Sequence, residues 1–143
     1  MDKKMFCFQC EQTVECTGCT GNAGVCGTKA DTARLQDELT GALIGLAKAV
    51  NDAATISKRT MQIIIEGLFT TVTNVSFDNT AIEKMIRKVR AEKERLVPNC
   101  QMPCGKTDEY DMQQLWKADE DILSLKSLIL FGFMEWLPMP IHS

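Results

Sequence analysis

A chain of 143 residues, 45% hydrophobic and 24% charged, has the size and composition of a single globular domain. Its net charge of −3 argues against a nucleic-acid-binding protein, which normally carries clustered positive charge. No apolar run approaches the roughly 20 residues that span a membrane, and no signal-peptide core follows the charged N-terminus. We therefore predict a cytoplasmic protein that binds neither nucleic acid nor a membrane.

Residues 5–27 hold five of the seven cysteines in a stretch too polar and glycine-rich for a helix or a strand. Such a loop buries little apolar surface, so metal ligation is the expected source of its folding free energy. Interleaved glycines allow backbone N–H groups to approach thiolates. Four thiolates in one loop, with no histidine nearby, favour an iron–sulfur cluster. They follow the pattern C-x2-C-x8-C-x6-C: Cys7, Cys10, Cys19 and Cys26.

Two other kinds of site remain open for this loop. A structural zinc site on Cys7, Cys10, Cys16 and Cys19 would separate its two cysteine pairs by only five residues, whereas zinc pairs usually lie about 12 to 20 residues apart. A disulfide framework fits poorly with an odd number of cysteines and with a reducing cytoplasm. Cys16 is predicted to be a surplus thiol rather than a ligand.

The first predicted helix follows the loop. It is capped by Thr28 or Asp31 and runs to about Asn51. Its N-terminal end lies just after the last cysteine of the loop, where the helix dipole would favour an anionic cluster. Close helix packing is the expected reason for Gly41 and Gly45 in its interior. The apolar side chains predicted to face the core are Leu35, Leu39, Leu43, Leu46 and Val50.

Two further helices are predicted over residues 58–73 and 80–96, the latter capped by Asp78 or Asn79. The apolar face of the earlier helix is predicted to comprise Met61, Ile64, Ile65, Leu68, Phe69 and Val72. The core-facing residues of the later helix are predicted to be Ile82, Met85, Ile86, Val89 and Leu96. Its charged residues, Glu92 among them, are predicted to form a solvated face.

A loop over residues 98–110 and a final helix over residues 119–136 complete the prediction. Cys100 and Cys104 lie in this loop and are predicted not to be ligands, because two thiols cannot close a tetrahedral site. The inward side of the final helix is predicted to include Ile122, Leu125, Leu128, Ile129, Phe133 and Trp136. The predicted fold is all-α: a cluster-binding loop (1–27), a bundle of about four helices (28–137) and a tail (138–143).

Three segments of the loop resemble the opening of the hybrid cluster proteins, also called prismane proteins or hydroxylamine reductases. They are residues 5–13 (MFCFQCEQT), 17–20 (TGCT) and 24–27 (GVCG). The resemblance covers the aromatic, glutamine and glycine positions as well as the cysteines, and it continues through the helices to about Phe133. It implies a 4Fe-4S cluster on Cys7, Cys10, Cys19 and Cys26. The additional Cys16 departs from the family pattern.

The resemblance implies an electron-transfer function. In the family, the N-terminal cluster relays single electrons, received from a redox partner protein, toward a hybrid cluster held by later domains. We do not expect that second cluster on these 143 residues. Residues 134–143 depart from the family sequence in a way that suggests a frameshift. A zinc-stabilised or partner-binding helical module without redox activity remains the alternative, and a homo-oligomer is a further prediction.

Overall fold

The computed structural model describes residues 5–7, 19–51, 53, 55–71, 78–99, 109–115, 117, 119, 122 and 125. Most of them are helical: α1 (Ala30–Asn51), α2 (Lys58–Thr71), α3 (Asn79–Leu96), a 3-10 turn (Val97–Asn99) and the short α4 (Met112–Leu115). Within these ranges the extended backbone amounts to two isolated β-bridges. The predicted helical fold is therefore confirmed, and the bounds of the first three helices agree with the predicted ones to within about two residues.

The core forms where α1 packs against both α2 and α3. The predicted stripe of α1 is confirmed, since Leu39 and Leu46 are fully buried, Leu43 is nearly so, and Leu35 and Val50 pack against the same cluster. On α3, all five residues predicted to face the core are buried. Burying a side chain of this size contributes about 1.5–3 kcal/mol, so this three-helix contact accounts for much of the stability of the described part.

The start of each helix depends on local hydrogen bonds. Asp78 caps α3, as predicted, by accepting a hydrogen bond from the N–H of Thr80 at 2.9 Å. Ser57, which precedes α2, accepts one from the N–H of Thr60 at 3.1 Å. The predicted caps of α1 are wrong: the helix begins at Ala30, after Lys29. Thr28 is instead engaged with the cysteine loop through its side chain.

The predicted apolar face of α2 is partly wrong. Met61, Ile65 and Phe69 are 51%, 63% and 64% exposed. The buried side of the helix consists mostly of small and polar residues: Thr60, Ile63, Gly67 and Thr71. Small residues allow α2 to approach α1 closely, since a Cβ on Gly67 would lie 2.7 Å from Leu43 Cδ2. Of the predicted face, Ile64 and Leu68 do pack against the core, and Val72 lies outside the described residues. Apolar periodicity could not reveal the small and polar residues of the buried side, because close approach selects them.

Glu92 corrects the prediction of a fully solvated charged face on α3. Its side chain is 1% exposed and accepts hydrogen bonds from Thr60 Oγ1 at 2.7 Å and from Arg95 Nη2 at 2.6 Å. Arg59 lies 3.4 Å from the same carboxylate. A buried carboxylate persists only when its charge is paired and hydrogen-bonded, and α2 and α3 together provide those partners.

The segment that precedes α4 packs against Gly41 of α1. The N–H of Tyr110 approaches the carbonyl of Gly41 at 3.4 Å, and a Cβ on Gly41 would overlap the carbonyl oxygen of Tyr110. The prediction of close helix packing is therefore wrong for Gly41, because the backbone segment before α4, and not another helix, lies against it. Met112, 3% exposed, is buried where α4 begins.

Several predictions fall on other parts of the chain. Cys100, Cys104, the tail and most of the predicted final helix lie outside the described residues, so the fourth long helix stays a prediction. Ile122 and Leu125 have helical backbone, but they are 42% and 53% exposed, so their predicted inward orientation is wrong. Among the helices of the described ranges, none combines the length and apolarity needed to cross a lipid bilayer.

Candidate metal centre

Cys7 and Cys19 lie directly opposite each other. The N–H of Cys7 donates to the carbonyl of Cys19 at 3.0 Å, and the N–H of Cys19 donates to the carbonyl of Cys7 at 2.8 Å. This reciprocal pair defines an antiparallel bridge, in which facing side chains leave the backbone on the same side. Two predicted ligands that are twelve residues apart in the sequence are therefore brought together by backbone hydrogen bonds.

The same ribbon continues to Met5, whose N–H donates to the carbonyl of Gly21 at 3.2 Å. This pair keeps the register of the cysteine bridge, so Met5 and Cys7 lie two positions apart on one edge. Met5 is 3% exposed, and its burial anchors the start of the described chain. Cys7 and Cys19 themselves are half-buried, which is suitable for thiolates that bind a group at the edge of the domain.

Cys26 lies in a turn that packs against this ribbon. The turn is closed by hydrogen bonds from the N–H of Gly24 to the carbonyl of Thr28 at 2.7 Å and from the N–H of Gly27 to the carbonyl of Gly24 at 2.9 Å. Gly27 has a φ of +88°, a conformation that favours glycine. A Cβ on Gly24 would lie 3.5 Å from Cys26 Sγ and 3.7 Å from Met5 Cε, so the turn and the ribbon are in contact through Met5.

A small pocket of about 290 Å³ adjoins Cys26, and the N-terminal ends of α1 and α3 contribute to its lining. Thr32 on α1 donates a hydrogen bond to Asn79 Oδ1 on α3 at 2.7 Å and holds the two ends together. Lys29 and Gly27 complete the lining. The predicted proximity of the first helix to the last cysteine of the loop is confirmed, because α1 begins four residues after Cys26.

The full ligand set stays a prediction. Within the described ranges, no group of three or more cysteine, histidine or acidic side chains is close enough together to hold a metal ion. Cys10 and Cys16 lie outside those ranges. Cys7, Cys19 and Cys26 therefore do not converge as a group of three. Their chemistry nevertheless fits an iron–sulfur cluster, because all three are cysteines, two of them have paired backbones, and the third lies in an adjoining glycine turn. The fourth thiol of the predicted set belongs to Cys10.

A second, larger cleft of about 970 Å³ lies between α1, α3 and the segment before α4. Arg90 lines this cleft and forms two ion pairs there, with Nη2 at 2.8 Å from both Glu38 Oε1 and Glu109 Oε2. The hydrogen bonds from Arg90 hold the pKa of the Glu109 carboxyl below its ordinary value, and Lys93 acts in the same direction. The sequence prediction did not include this network, because Glu109 meets α3 only after the chain has folded back. The positive charges of Arg90 and Lys93 balance the negative charges of Glu38 and Glu109. We therefore assign this ion-pair network a role in the stability of the fold.

Comparison with known proteins agrees with the resemblance carried by the loop. The model of the Prismane/CO dehydrogenase family matches residues 5–137. Because the match extends over most of the sequence, the chain belongs to this family.

Curated relatives define the relationship further. Hydroxylamine reductase of Clostridium perfringens is 36% identical over 152 residues, a match that covers 90% of this chain and 28% of the relative. Hydroxylamine reductase of Porphyromonas gingivalis strain W83 is 34% identical, with 92% and 28% covered. That of Bacteroides fragilis is 36% identical, with 90% and 26% covered. The chain thus spans little more than a quarter of these relatives, and the predicted similarity to the N-terminal portion of the family is confirmed.

Proposed function

We propose that this chain binds a 4Fe-4S cluster through Cys7, Cys10, Cys19 and Cys26 and relays electrons as the N-terminal portion of a hydroxylamine reductase-type oxidoreductase. The observation that carries the proposal is the reciprocal bridge between Cys7 and Cys19. It brings two predicted ligands of the family motif side by side. Family membership and the relatives named hydroxylamine reductase support the proposal.

The chain's own residues would bind the cluster and limit its contact with water. Bound there, the cluster would supply one-electron transfer. The ribbon holds Cys7 and Cys19, and the glycine turn presents Cys26. The N-terminus of α1, beside that turn, carries a partial positive charge that favours a bound anion by about 0.3–1 kcal/mol. Met5, in the same ribbon, is buried.

The proposal includes the finer predictions made from the sequence. A redox partner protein would donate the electron, and a fourth long helix over residues 119–136 would complete the helical bundle that follows the cluster-binding loop (1–27). Reduction of hydroxylamine is proposed for a longer protein that contains this portion. The family's hybrid cluster is not proposed for these 143 residues.

Anaerobic reconstitution with iron and sulfide tests the cluster assignment. We expect broad absorption near roughly 400 nm from thiolate-to-iron charge transfer and about four irons per chain. Single serine substitutions of Cys7, Cys10, Cys19 or Cys26 should abolish or strongly reduce both. Cys16→Ser, Cys100→Ser and Cys104→Ser are matched controls and should retain them. Absence of the band in the unaltered chain would refute the proposal.

The alternative is a zinc-stabilised or partner-binding helical module. Metal analysis of anaerobically purified protein separates the two, because the alternative requires zinc without acid-labile sulfide. One observation favours a binding role in addition to the cluster: the exposed apolar row of Met61, Ile65 and Phe69 on α2. Large exposed apolar patches mark protein–protein interaction sites. The partner that we propose for this row is a second copy of the chain.

A further inference from the structure

The hydroxyl of Thr28 lies beside one of the proposed cluster ligands. Thr28 Oγ1 is 3.0 Å from Cys26 Sγ, and Thr28 is only 2% exposed. Within the described residues, Cys26 is the one partner that the structure gives to this hydroxyl. A buried hydroxyl normally has a hydrogen-bond partner, so this contact determines its orientation.

The backbone around Thr28 holds the two side chains together. The carbonyl of Thr28 accepts the hydrogen bond that closes the glycine turn, and an antiparallel bridge joins the flanking residues Ala23 and Lys29. Gly27, between Cys26 and Thr28, has the positive φ that this turn requires. The hydroxyl is therefore positioned by the fold.

The direction of the hydrogen bond follows from the chemistry of the ligand. A cysteine that binds iron does so as a thiolate, which has no proton to donate. The Thr28 hydroxyl must then be the donor and the sulfur the acceptor. Hydrogen bonds to cluster sulfurs are among the features that set reduction potentials, and hydrogen bonds strengthen as the acceptor becomes more negative.

We propose that Thr28 is a positioning residue that raises the reduction potential of the cluster by donating a hydrogen bond to the Cys26 thiolate. The proposal rests on the proposed function. Reduction adds one electron to the cluster and neither forms nor breaks a bond in the chain. The added negative charge strengthens the hydrogen bond, so the hydroxyl stabilises the reduced form more than the oxidised form.

The test is a potentiometric titration of the reconstituted full chain, with dithionite as the reductant and absorbance and electron paramagnetic resonance as readouts. Thr28→Val keeps the shape of the side chain and removes the donor. We expect unchanged iron content and a reduced-to-oxidised ratio that falls about three- to tenfold at a fixed potential; tenfold corresponds to about 59 mV for one electron. Thr28→Ser keeps the hydroxyl and should titrate like the unaltered chain.

Thr40→Val is the matched control, because Thr40 is also buried and its hydroxyl bonds to the carbonyl of Gln36 within α1. It should leave the potential unchanged. The proposal is overturned if Thr28→Val binds a full cluster at the original potential, or if Thr28→Ser shifts the potential as far as Thr28→Val. Loss of iron in both Thr28→Val and Thr28→Ala would also overturn it, since the side chain would then only support the loop. An unaltered chain that binds no iron refutes the proposed function itself.

Discussion

Thr60 Oγ1 donates a hydrogen bond of 2.7 Å to Glu92 Oε1 across the interface between α2 and α3, and both residues are buried. Arg95 Nη2 reaches the same carboxylate oxygen at 2.6 Å and Thr60 Oγ1 at 3.3 Å. A charged group is thus held inside the helical bundle by a hydroxyl from α2 and a guanidinium from α3, with the Arg59 guanidinium of α2 3.4 Å from the same carboxylate.

Replacing Thr60 with valine should destabilise the domain. The substitution leaves the buried Glu92 carboxylate without one of its hydrogen bonds, at an expected cost of about 1–3 kcal/mol in the free energy of unfolding. Urea denaturation followed by circular dichroism measures this cost. Thr80→Val, at an exposed position at the start of α3, is the control and should change stability by less than about 0.5 kcal/mol. Equal effects of the two substitutions would contradict the assignment.

Glu92 should also make stability depend on pH. The hydrogen bond from Arg95, assisted by the one from Thr60, lowers the pKa of Glu92 below its ordinary value of 4.5. A carboxyl with a lowered pKa stabilises the fold above its unfolded-state pKa, and this contribution is lost as the pH falls through the folded-state pKa. Glu92→Gln should therefore be less stable than the unaltered chain near neutral pH, and the difference should shrink below about pH 4.5.

Denaturation midpoints of both chains over this range measure the difference. Taking the difference isolates Glu92 from the other acidic groups with lowered pKa values, Glu66 and Glu109. Glu94→Gln, at an exposed position of the same helix, serves as the control. If the difference in denaturation midpoint between Glu92→Gln and the unaltered chain stayed constant from neutral to acidic pH, the charge of Glu92 would not contribute to stability.

Alanine at Gly41 should cost more stability than alanine at Gly67. Helix propensity favours alanine by about 1 kcal/mol at either position, but a Cβ on Gly41 meets the backbone carbonyl of Tyr110, which cannot rotate away. The nearest atoms to a Cβ on Gly67 belong to the Leu43 side chain, which can shift more easily than backbone. Overpacking of this kind costs about 1–3 kcal/mol. Thermal denaturation of the two variants should rank them in this order, and the reverse ranking would be inconsistent with the packing described.

Self-association should depend on the exposed apolar row of α2. Replacing both Ile65 and Phe69 with serine removes its centre and end, and we expect a shift of the chain toward monomer in analytical ultracentrifugation. The substituted side chains are largely exposed, so folding should be retained. The control exchanges Lys84 and Glu94 on α3 for serine, which leaves the net charge unchanged. An oligomer that survives loss of the row would exclude it as the interface.

Removal of the metal should destabilise the domain. Ligation supplies folding free energy to a loop that buries little apolar surface, so a chelator should lower the melting temperature of the reconstituted chain by several degrees, at about 2–8 °C per kcal/mol for domains of this size range. Cys7→Ser, measured in the same way, should melt near the temperature of the chelated chain. A melting temperature that does not respond to the chelator would indicate that the helices fold independently of the loop.

The sequence was sufficient to predict the three long helices, the central apolar stripe of α1 and the family. These follow from local features: a repeat of apolar residues every three or four positions, the Asp78 cap, and a cysteine motif with its neighbouring aromatic and glycine residues. Each depends on residues within a few turns of one another. Such local sequence patterns can therefore be read without knowing the rest of the fold.

The tertiary structure alone decided which face of α2 is buried and how Glu92 is accommodated. Thr60 and Gly67 are inside because α2 approaches its neighbours closely, and Glu92 is inside because another helix supplies its hydrogen bond. The pairing of Cys7 with Cys19 likewise requires a backbone register that spacing does not encode. Such contacts join residues distant in the chain, so their energies exist only after the helices and the ribbon have come together.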